Sequence, residues 1–439
     1  MAFRVSFGKP PAEAAPSVHF RPAGNDERSR NINLLKARRF GAFEIATNLF
    51  HQVASLGAAN VQVDRTSAGS TITVEVDGIT HALPALDLAT ATALVSSFKQ
   101  LAGITAQEVR WRQSGQFTAI IKNKSWECTV VSSGIPSGER TQLLLDAGKA
   151  EFANLAAASV SEPLQKRMRA SLAAESGLLL FSAPPQSGMT ELLETAVRDS
   201  DRFQRSYYLL ENSRRPRPDI ENVATRKFDG STVTIDSLLR SIAKEHPDVL
   251  IVPEIDDAEI VDSLTSQPAQ GRLAIGGVLA NDAPETLLRV LATRCNARRF
   301  AGEVTAVANA RLLRKLCVTC RQPYLPSPQM VMELNLAIGE TQALFRPSGT
   351  IPGERDEPMT CPACGGLGYR GRAAVIQWME VSDEMRATML GSSDDHLQLL
   401  REQAAAAGMT PHLAEAATLA AAGITSVEEI VRVLRTPRD

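Results

Sequence analysis

The stretch Gly177-Leu178-Leu179-Leu180-Phe181-Ser182, followed by Ala183-Pro184-Pro185-Gln186-Ser187-Gly188-Met189-Thr190, decides the fold of this 439-residue chain. Its first part is a short apolar run, typical of a buried β-strand, and a helical pattern starts at Thr190. Similar apolar runs follow at residues 207–210 and 249–252, separated by helical patterns. Strands that alternate with helices predict an α/β fold, in which a parallel sheet carries helices on its faces.

The turn between this strand and this helix is where a phosphate-binding P-loop lies. A P-loop needs glycines whose neighbouring N–H groups wrap phosphates, a lysine that neutralises them, and a Ser or Thr hydroxyl that holds Mg²⁺. Gly188 and Thr190 occupy the matching positions, but Ala183 replaces the first glycine and Met189 replaces the lysine. Taken alone, such a segment is more often an ordinary strand-to-helix loop than a nucleotide site.

Downstream segments resemble the ATPases of type II secretion and type IV pilus assembly. Residues 247–257 (Pro-Asp-Val-Leu-Ile-Val-Pro-Glu-Ile-Asp-Asp) resemble the family's Walker B region, where Gly-Glu-Ile-Arg-Asp follows four apolar residues. Residues 271–273 then fall on the family's Gly-His-Leu box without a gap, and residues 281–283 fall on its Asn-Asp-Ala. The pair Glu211-Asn212 resembles its acidic box. The resemblance runs from residues 54–63 to 423–430, so it covers nearly the whole chain.

Together, the patterns and the resemblance predict the domain organisation. Residues 1–35 are rich in Pro, Ala and charge, so we expect a flexible leader. Residues 36–150 combine one helical pattern with alternating strands and predict a small α+β domain. Residues 151–316 would form a RecA-like P-loop domain, which the resemblance implies. Residues 317–375 would form a zinc-binding segment, and the Ala-rich residues 376–439 a helical C-terminal segment.

Several positions depart from the family's pattern besides Met189. They are the two box histidines, the Walker B glycine and arginine and the second acid of the acidic box, which are here Arg272, Leu279, Pro253, Asp256 and Asn212. A hydrogen bond to a charged group contributes roughly 1.5–3 kcal/mol, and phosphoryl transfer depends on positioned positive charge. Met189 and Asp256 both act against triphosphate binding. Arg272, or Arg140 from the N-terminal domain, could supply another cation, but we expect hydrolysis to be lost or severely reduced.

The surviving residues take their roles from the resemblance. Glu254 would polarise the attacking water, and Glu211 keeps the acidic box, both as vestigial catalytic residues. The hydroxyl of Thr190 would hold Mg²⁺, while Ser187, Gly188 and Met189 would surround the phosphates. Binding of ATP with Mg²⁺ stays open at this point.

Four of the six cysteines form two Cys-x-x-Cys pairs, Cys317 with Cys320 and Cys361 with Cys364. Two such pairs complete a Cys₄ site, so we predict a structural zinc. A redox dithiol is the alternative, but it would require only one pair, and neither pair follows a thioredoxin-like strand. The arrangement also resembles the family's tetracysteine insert, down to residues 368–372 after the second pair.

Composition limits the location and the partners. The formal net charge is −2, which gives no reason to expect nucleic acid or an acidic membrane as the main partner. No apolar run approaches the roughly 18–20 residues of a membrane helix, and the N-terminus lacks the pattern of a secretory signal. Both features favour the cytoplasm.

The sequence is compatible with three candidate functions. The first is a weakly hydrolysing or inactive subunit that docks at the inner membrane on secretion or pilus platform proteins, in a hexameric ring of its own or with an active paralogue. The second is a working ATPase with a non-standard P-loop. The third, a zinc-bearing nucleic-acid binder, is disfavoured by the near-neutral charge.

Overall fold

The computed structural model describes residues 18–148, 150–213, 219–334, 343–353, 357–392 and 395–435. The chain divides into two compact units. The N-terminal unit takes residues 1–149 together with 315–322 and 346–371, and the second unit takes 150–314, 323–345 and 372–439. Among the helices described, none has both the length and the apolar character needed to cross a membrane.

The N-terminal unit is built on a seven-stranded sheet. Its elements in chain order are β1 (Val18–Arg21), α1 (Glu27–Arg38), α2 (Phe43–Ser55), β2 (Ala58–Thr66), β3 (Gly69–Val76), β4 (Ile79–Leu83), α3 (Leu88–Leu101), β5 (Gln113–Ile121), β6 (Lys124–Ile135) and β7 (Gly138–Asp146). The strand order is β1-β5-β6-β7-β2-β3-β4, and neighbouring strands are antiparallel. Helix α2 buries Ala46, Leu49, Phe50 and Val53. This is the face that the helical spacing of residues 42–56 predicts.

The expected flexible leader is wrong for residues 18–35, which contain β1 and most of α1. The ring of Phe20 in β1 packs edge-on against Phe43, Phe50 and Phe117, with centroid distances of 5.6–5.7 Å. This aromatic contact fixes the strand against the core. A single phenylalanine in a polar stretch gave no periodic signal. Residues 1–17 of the expected leader lie outside the described residues.

The second unit contains the sheet that positions the P-loop. Its elements begin with α4 (Glu162–Leu172), β8 (Gly177–Ala183), α5 (Met189–Arg198), β9 (Tyr207–Asn212), β10 (Val223–Phe228), α6 (Ile235–Ile242), β11 (Val249–Val252), α7 (Ala258–Thr265), β12 (Leu273–Leu279), α8 (Ala283–Leu291), α9 (Ala297–Glu303) and β13 (Val304–Leu316). The chain continues with β14 (Gln322–Tyr324), α10 (Pro328–Glu333), β15 (Leu344–Arg346), β16 (Thr350–Pro352), β17 (Pro358–Thr360) and β18 (Tyr369–Glu380). It ends with α11 (Asp383–Leu390), α12 (His396–Ala406), α13 (His412–Ala421) and α14 (Val427–Ile430).

The large sheet has the order β10-β9-β11-β12-β8-β13-β18. The strands from β10 to β13 in this order run parallel. Helices α4 and α5 pack on one face, through residues such as Met168 and Leu193, and α6–α9 pack on the other, through residues such as Leu239 and Leu287. The predicted parallel sheet with helices on both faces is therefore confirmed.

The C-terminal prediction needs a correction, because residues 376–380 are not helical. They complete β18, whose apolar residues from Ala373 to Met379 are buried at the end of the large sheet. An Ala- and Val-containing run of this length suits a strand or a helix equally by composition. The helical segment starts at Asp383.

Candidate nucleotide site and tetracysteine cluster

The P-loop segment adopts the strand–turn–helix geometry that its sequence predicts. The chain leaves β8 at Ala183, turns with positive φ at Gln186 (58°) and Gly188 (101°), and starts α5 at Met189. The N–H of Ser187 donates to the carbonyl of Pro184 at 3.1 Å. A Cβ on Gly188 would lie 2.5 Å from Leu312, so both the left-handed backbone and the contact require glycine.

The loop offers fewer donors to a phosphate than a standard cradle. Pro184 and Pro185 have no N–H. The hydroxyl of Ser187, which is 6% exposed, donates instead to the carbonyl of Pro185 at 3.3 Å. What remains is the N-terminus of α5, whose N–H groups and dipole favour an anion, with the half-buried Thr190 in its first turn.

Met189 stands where the phosphate-binding lysine would be, and its side chain belongs to the hydrophobic core. It is 8% exposed and joins the apolar cluster on the α5 face of the sheet. A Cβ on Gly277 of β12 would lie 3.3 Å from the Met189 methyl group and 2.0 Å from the carbonyl oxygen of Pro253. The segment after β11 therefore crosses closely over β12, and a thioether fills the space beside it.

The two predicted carboxylates, Glu211 and Glu254, line one small cleft at the carboxyl ends of β9 and β11. The cleft is lined by Leu210, Glu211, Asn212, Phe228, Val252, Pro253, Glu254, Asp256 and Ile260. None of these described lining residues is basic. The Glu211 carboxylate is 2% exposed and lies 3.6 Å from the ammonium group of Lys227. Three carboxylates, those of Glu211, Glu254 and Asp256, thus line one cleft.

The phosphate loop lies beside this cleft without lining it. Residues 187–190 follow β8, and β12 separates β8 from β11 in the sheet. The Met189 methyl group reaches across β12, because it lies next to Gly277, against which the carbonyl of Pro253 packs. The loop and the cleft therefore lie along the same edge of the sheet, at the carboxyl ends of its parallel strands.

Arg272 cannot replace the lysine within this chain. It precedes β12, and β12 runs parallel to β8 with Leu273 opposite Gly177 and Leu279 opposite Ala183. Arg272 therefore lies at the amino edge of the sheet, about 20 Å from the loop. Its guanidinium donates to Gln267 at 3.0 Å and to Gln270 at 2.9 Å.

The other suggested cation, Arg140, is engaged inside the N-terminal unit. Its guanidinium donates to both carboxylate oxygens of Asp64, at 2.9 and 2.8 Å. These hydrogen bonds raise the pKa of Arg140. The bidentate pair holds Nε and Nη2 of Arg140 on the Asp64 carboxylate.

One cation that the sequence did not assign to the site touches the first turn of α5. The guanidinium of Arg372 lies 4.0 Å from the Glu191 carboxylate and pairs with Glu151. Only the tertiary structure places it there, because Arg372 follows the second cysteine pair in the sequence.

The four paired cysteines meet in one buried cluster of the N-terminal unit. All four Sγ atoms lie within 4.8 Å of one another. The Sγ atoms of Cys317 and Cys361 are 3.9 Å apart, and those of Cys320 and Cys364 are 3.7 Å apart. Four thiolates around zinc, at Zn–S distances of about 2.3 Å, would be spaced by about 3.8 Å. The geometry therefore suits a tetrahedral metal ion.

The chemistry of the cluster also suits a cation. The thiols are at most 5% exposed. Burial raises the pKa of Cys320 and of Cys364. A divalent ion provides the charge that turns such thiols into thiolate ligands. In addition, the N–H of Gly368 donates to Sγ of Cys364 at 3.2 Å, as it would to a thiolate.

The cysteine cluster packs on the α+β unit rather than forming a segment of its own. Leu367 contacts both the cysteines and the core of the N-terminal sheet. A Cβ on Gly365 would lie 2.8 Å from the side chain of Leu56, and the N–H of Gly371 donates to Asp77 at 2.8 Å. The four cysteines thus join residues distant in sequence to the N-terminal sheet.

Comparisons with known proteins agree with this architecture. The family model described as "Type II/IV secretion system protein" matches residues 42–432. The type II secretion system protein E of Klebsiella pneumoniae is 25% identical over 382 residues, which cover 87% of this chain and 73% of the relative. Protein HxcR of Pseudomonas aeruginosa, a type II secretion system protein, is 26% identical over 392 residues, which cover 88% and 76%.

Solved structures show the same fold at low identity. The ATPase DotB of Legionella pneumophila superposes with a TM-score of 0.57 and 12% identity, covering 90% of this chain and 94% of DotB. The pilus retraction motor PilT with bound ADP superposes with a TM-score of 0.51 and 15% identity, covering 89% and 96%.

Proposed function

Because the chain belongs to the type II/IV secretion system protein family, we propose that it serves a secretion or pilus assembly machine as a subunit whose ATP hydrolysis is lost or severely reduced. The observation that carries this proposal is the core position of Met189. A side chain that packs in the core is absent from the phosphate surface, and it carries no charge with which to neutralise a triphosphate.

The surroundings of the loop support the same conclusion. Transfer of a phosphoryl group requires positive charge at the developing negative charge. Here the loop has lost two N–H donors to proline, and the neighbouring cleft carries Glu211, Glu254 and Asp256. Within the loop, Gly188 and Thr190 keep the chemistry of a site for a Mg²⁺-bound triphosphate, whereas Ala183 and Met189 do not.

The retained carboxylates favour a second candidate, a working ATPase with a non-standard loop. Glu211 and Glu254 line one cleft, as a vestigial or a functioning water-polarising site would require. Arg372 beside Glu191 is the described cation through which such a loop could act. This candidate requires a rearrangement that releases Arg372 from Glu151.

The partners and location follow from the family. We propose that the chain acts in the cytoplasm at the inner membrane, bound to platform proteins of the machine. A hexameric ring, formed alone or together with an active paralogue, would place it there. We also propose that the tetracysteine cluster holds one structural zinc ion, which stabilises the N-terminal unit.

Phosphate release tests the proposal directly. The purified full-length chain, with Mg²⁺ and ATP, should show turnover indistinguishable from that of its Glu254→Gln variant. Titration with a fluorescent ATP analogue separates binding from turnover. Saturable hydrolysis that Glu254→Gln abolishes would overturn the proposal and establish the second candidate.

A further inference from the structure

A solvent-open groove of about 730 Å³ lies in the N-terminal unit, and its residues are distinct from those of the nucleotide loop. It is walled by the turn between β6 and β7, the end of β2, the start of α3 and the segment 108–110. Its lining residues are Arg65, Thr66, Leu88, Thr92, Val109, Arg110, Gly134, Ile135, Pro136, Ser137, Gly138 and Glu139. None of them takes part in the function proposed above.

The floor of this groove holds more positive than negative charge. Arg65 and Lys99 both pair with the carboxylate of Glu139, and Ser132 donates to the same carboxylate at 2.5 Å. Lys99 is fully buried and Glu139 is 3% exposed. The Glu139 carboxylate therefore serves both Arg65 and Lys99, and the Glu108 carboxylate lies close enough to Lys99 to interact with its charge.

The Glu108 carboxylate interacts with Lys99 and not with Arg65. Glu108 accepts the backbone N–H groups of Arg110 at 2.6 Å and Trp111 at 3.0 Å, so it stabilises its own turn. Its backbone carbonyl accepts the Lys99 ammonium at 2.6 Å. Arg110, which lines the groove, adds a further positive charge.

Two polar atoms beside Glu139 lack partners. Within the part of the chain that the structure describes, the buried Nε of Arg65 and Oγ1 of Thr141 have no hydrogen-bond partner. The Arg65 side chain is only 10% exposed. Thr141 lies two residues beyond Glu139 in β7, so it points to the same face of the sheet. A buried donor without a partner is costly, and an anionic acceptor in the groove would satisfy the Nε of Arg65, which is a lining residue.

The rim of the groove is apolar and exposed. Leu88 is 43% exposed and Val109 is 40% exposed, and Trp111, just beyond the lining, is 75% exposed. Large apolar side chains grouped at a groove mark an interaction surface more often than isolated ones do. A small inorganic anion would leave them in water.

We propose that this groove docks an acidic segment of a partner protein, in which a Glu or Asp carboxylate accepts from Arg65 and neighbouring apolar side chains cover Leu88 and Val109. The positive charge of the groove favours a ligand with a carboxylate, and the apolar rim favours a peptide over a free ion. The inference is independent of the state of the nucleotide site.

Fluorescence anisotropy on the full-length protein tests the groove. The probe is a short fluorescein-labelled peptide of alternating Glu and Leu, and its control has Gln in place of Glu. We expect saturable binding of the Glu peptide and at least about tenfold weaker binding of the Gln peptide. Arg65→Gln should weaken the Glu peptide about tenfold, and Val109→Ser should weaken it severalfold. Ile32→Ser, at a similarly exposed apolar position of α1, should change nothing.

The design separates docking from folding. Arg65→Gln removes a partner of Glu139, so its thermal unfolding is measured alongside; Val109→Ser changes an exposed side chain and keeps the folded protein. The proposal is overturned if neither variant weakens binding, if the Gln peptide binds equally, or if no saturation occurs by about 1 mM. Displacement of the peptide by an equal concentration of inorganic phosphate would also overturn it, in favour of a small-anion site.

Discussion

Arg314, near the end of β13, and Glu429, in α14, form a buried pair. The backbone N–H of Arg314 donates to Oε1 of Glu429 at 3.0 Å, and its guanidinium donates to Oε2 at 2.7 Å. Arg432 donates to the same carboxylate at 2.5 Å. Glu429 is 1% exposed, so the contact anchors the C-terminal helix to the end of the strand.

Replacing this carboxylate should be costly. We expect Glu429→Gln to lower the free energy of unfolding by about 3 kcal/mol at pH 7, because it leaves a buried arginine without its counterion. Urea denaturation followed by circular dichroism measures the difference. Glu428→Gln, one residue earlier and exposed, should change stability by less than about 0.5 kcal/mol. Equal effects of the two substitutions would contradict the role of Glu429 in holding the C-terminal helix to the end of β13.

The same pair predicts a dependence on pH. Burial raises the pKa of Glu429, but the hydrogen bonds from Arg432 and Arg314 outweigh burial, and the pKa is lowered. The ionised Glu429 carboxylate therefore stabilises the fold fully above the pKa of this group in the unfolded chain, about 4.3. This stabilisation is lost as the pH falls through the lower pKa that the group has in the folded protein. The stability gap between the wild type and Glu429→Gln should stay constant from pH 7 to about 5 and shrink below about 4.3. An unchanged gap at pH 3 would contradict this assignment.

Met189→Lys should have opposite effects with and without nucleotide. The lysine places a charge at a core position that is 8% exposed, so the unliganded protein should lose about 1–3 kcal/mol of stability. Mg²⁺ and ATP should restore about 2.7 kcal/mol at a hundredfold excess over the dissociation constant.

The matched control is Met189→Leu, which keeps the volume and adds no charge. It should lose less than about 1.5 kcal/mol and gain nothing from nucleotide. Thermal unfolding with and without Mg²⁺ and ATP distinguishes the two variants. If the wild type gains as much from nucleotide as Met189→Lys does, the loop binds triphosphate without lysine.

Gly188 should be needed for folding even if the loop binds nothing. Gly188→Ala forces alanine into a left-handed backbone and places its Cβ 2.5 Å from Leu312. We expect a loss of about 2 kcal/mol. Gly302→Ala, in α9 with nothing within 4 Å of the added Cβ, should leave stability unchanged or raise it by about 0.5–1 kcal/mol. Chemical denaturation of the two variants in parallel provides the comparison.

The tetracysteine cluster predicts one zinc ion per chain, measurable by elemental analysis of reduced protein. Cys361→Ser should lose the metal and lower the midpoint of thermal unfolding, because the ion holds strand ends distant in sequence. Cys295→Ser is the control, since its thiol is half-buried outside the cluster and contacts the carbonyl of Val290 at 3.7 Å. Folded wild-type protein without metal would contradict the zinc proposal.

Much of the second unit could be predicted from the sequence, because its strands are short apolar runs in alternation with helices. The runs at 177–182, 207–210 and 249–252 lie in β8, β9 and β11, and the four cysteines come together. The apolar runs are local signals, and the cysteines form two Cys-x-x-Cys motifs, so both can be recognised without knowledge of tertiary contacts. The sequence could also have predicted that Arg272 lies far from the phosphate loop. In a parallel sheet, a residue that precedes one strand and a loop that follows another lie at opposite edges of the sheet.

Other features depend on contacts that sequence patterns do not encode. The β1 strand is fixed by three aromatic rings from distant elements, around Phe20. The fit of Leu56 against Gly365 attaches the cysteine cluster to the N-terminal sheet across more than half of the chain. Likewise, Met189 packs in the core beside Gly277, where the segment after β11 crosses β12.

The attachment of the cysteines to the N-terminal unit sets an order for biosynthesis. The ribosome releases residues 1–149 long before Cys361 and Cys364, so this unit emerges without its last pieces. Six strands of the large sheet, β8 to β13, are synthesised in the interval. Completion of the first unit therefore waits until the ribosome has passed residue 371, when most of the second unit has already been synthesised.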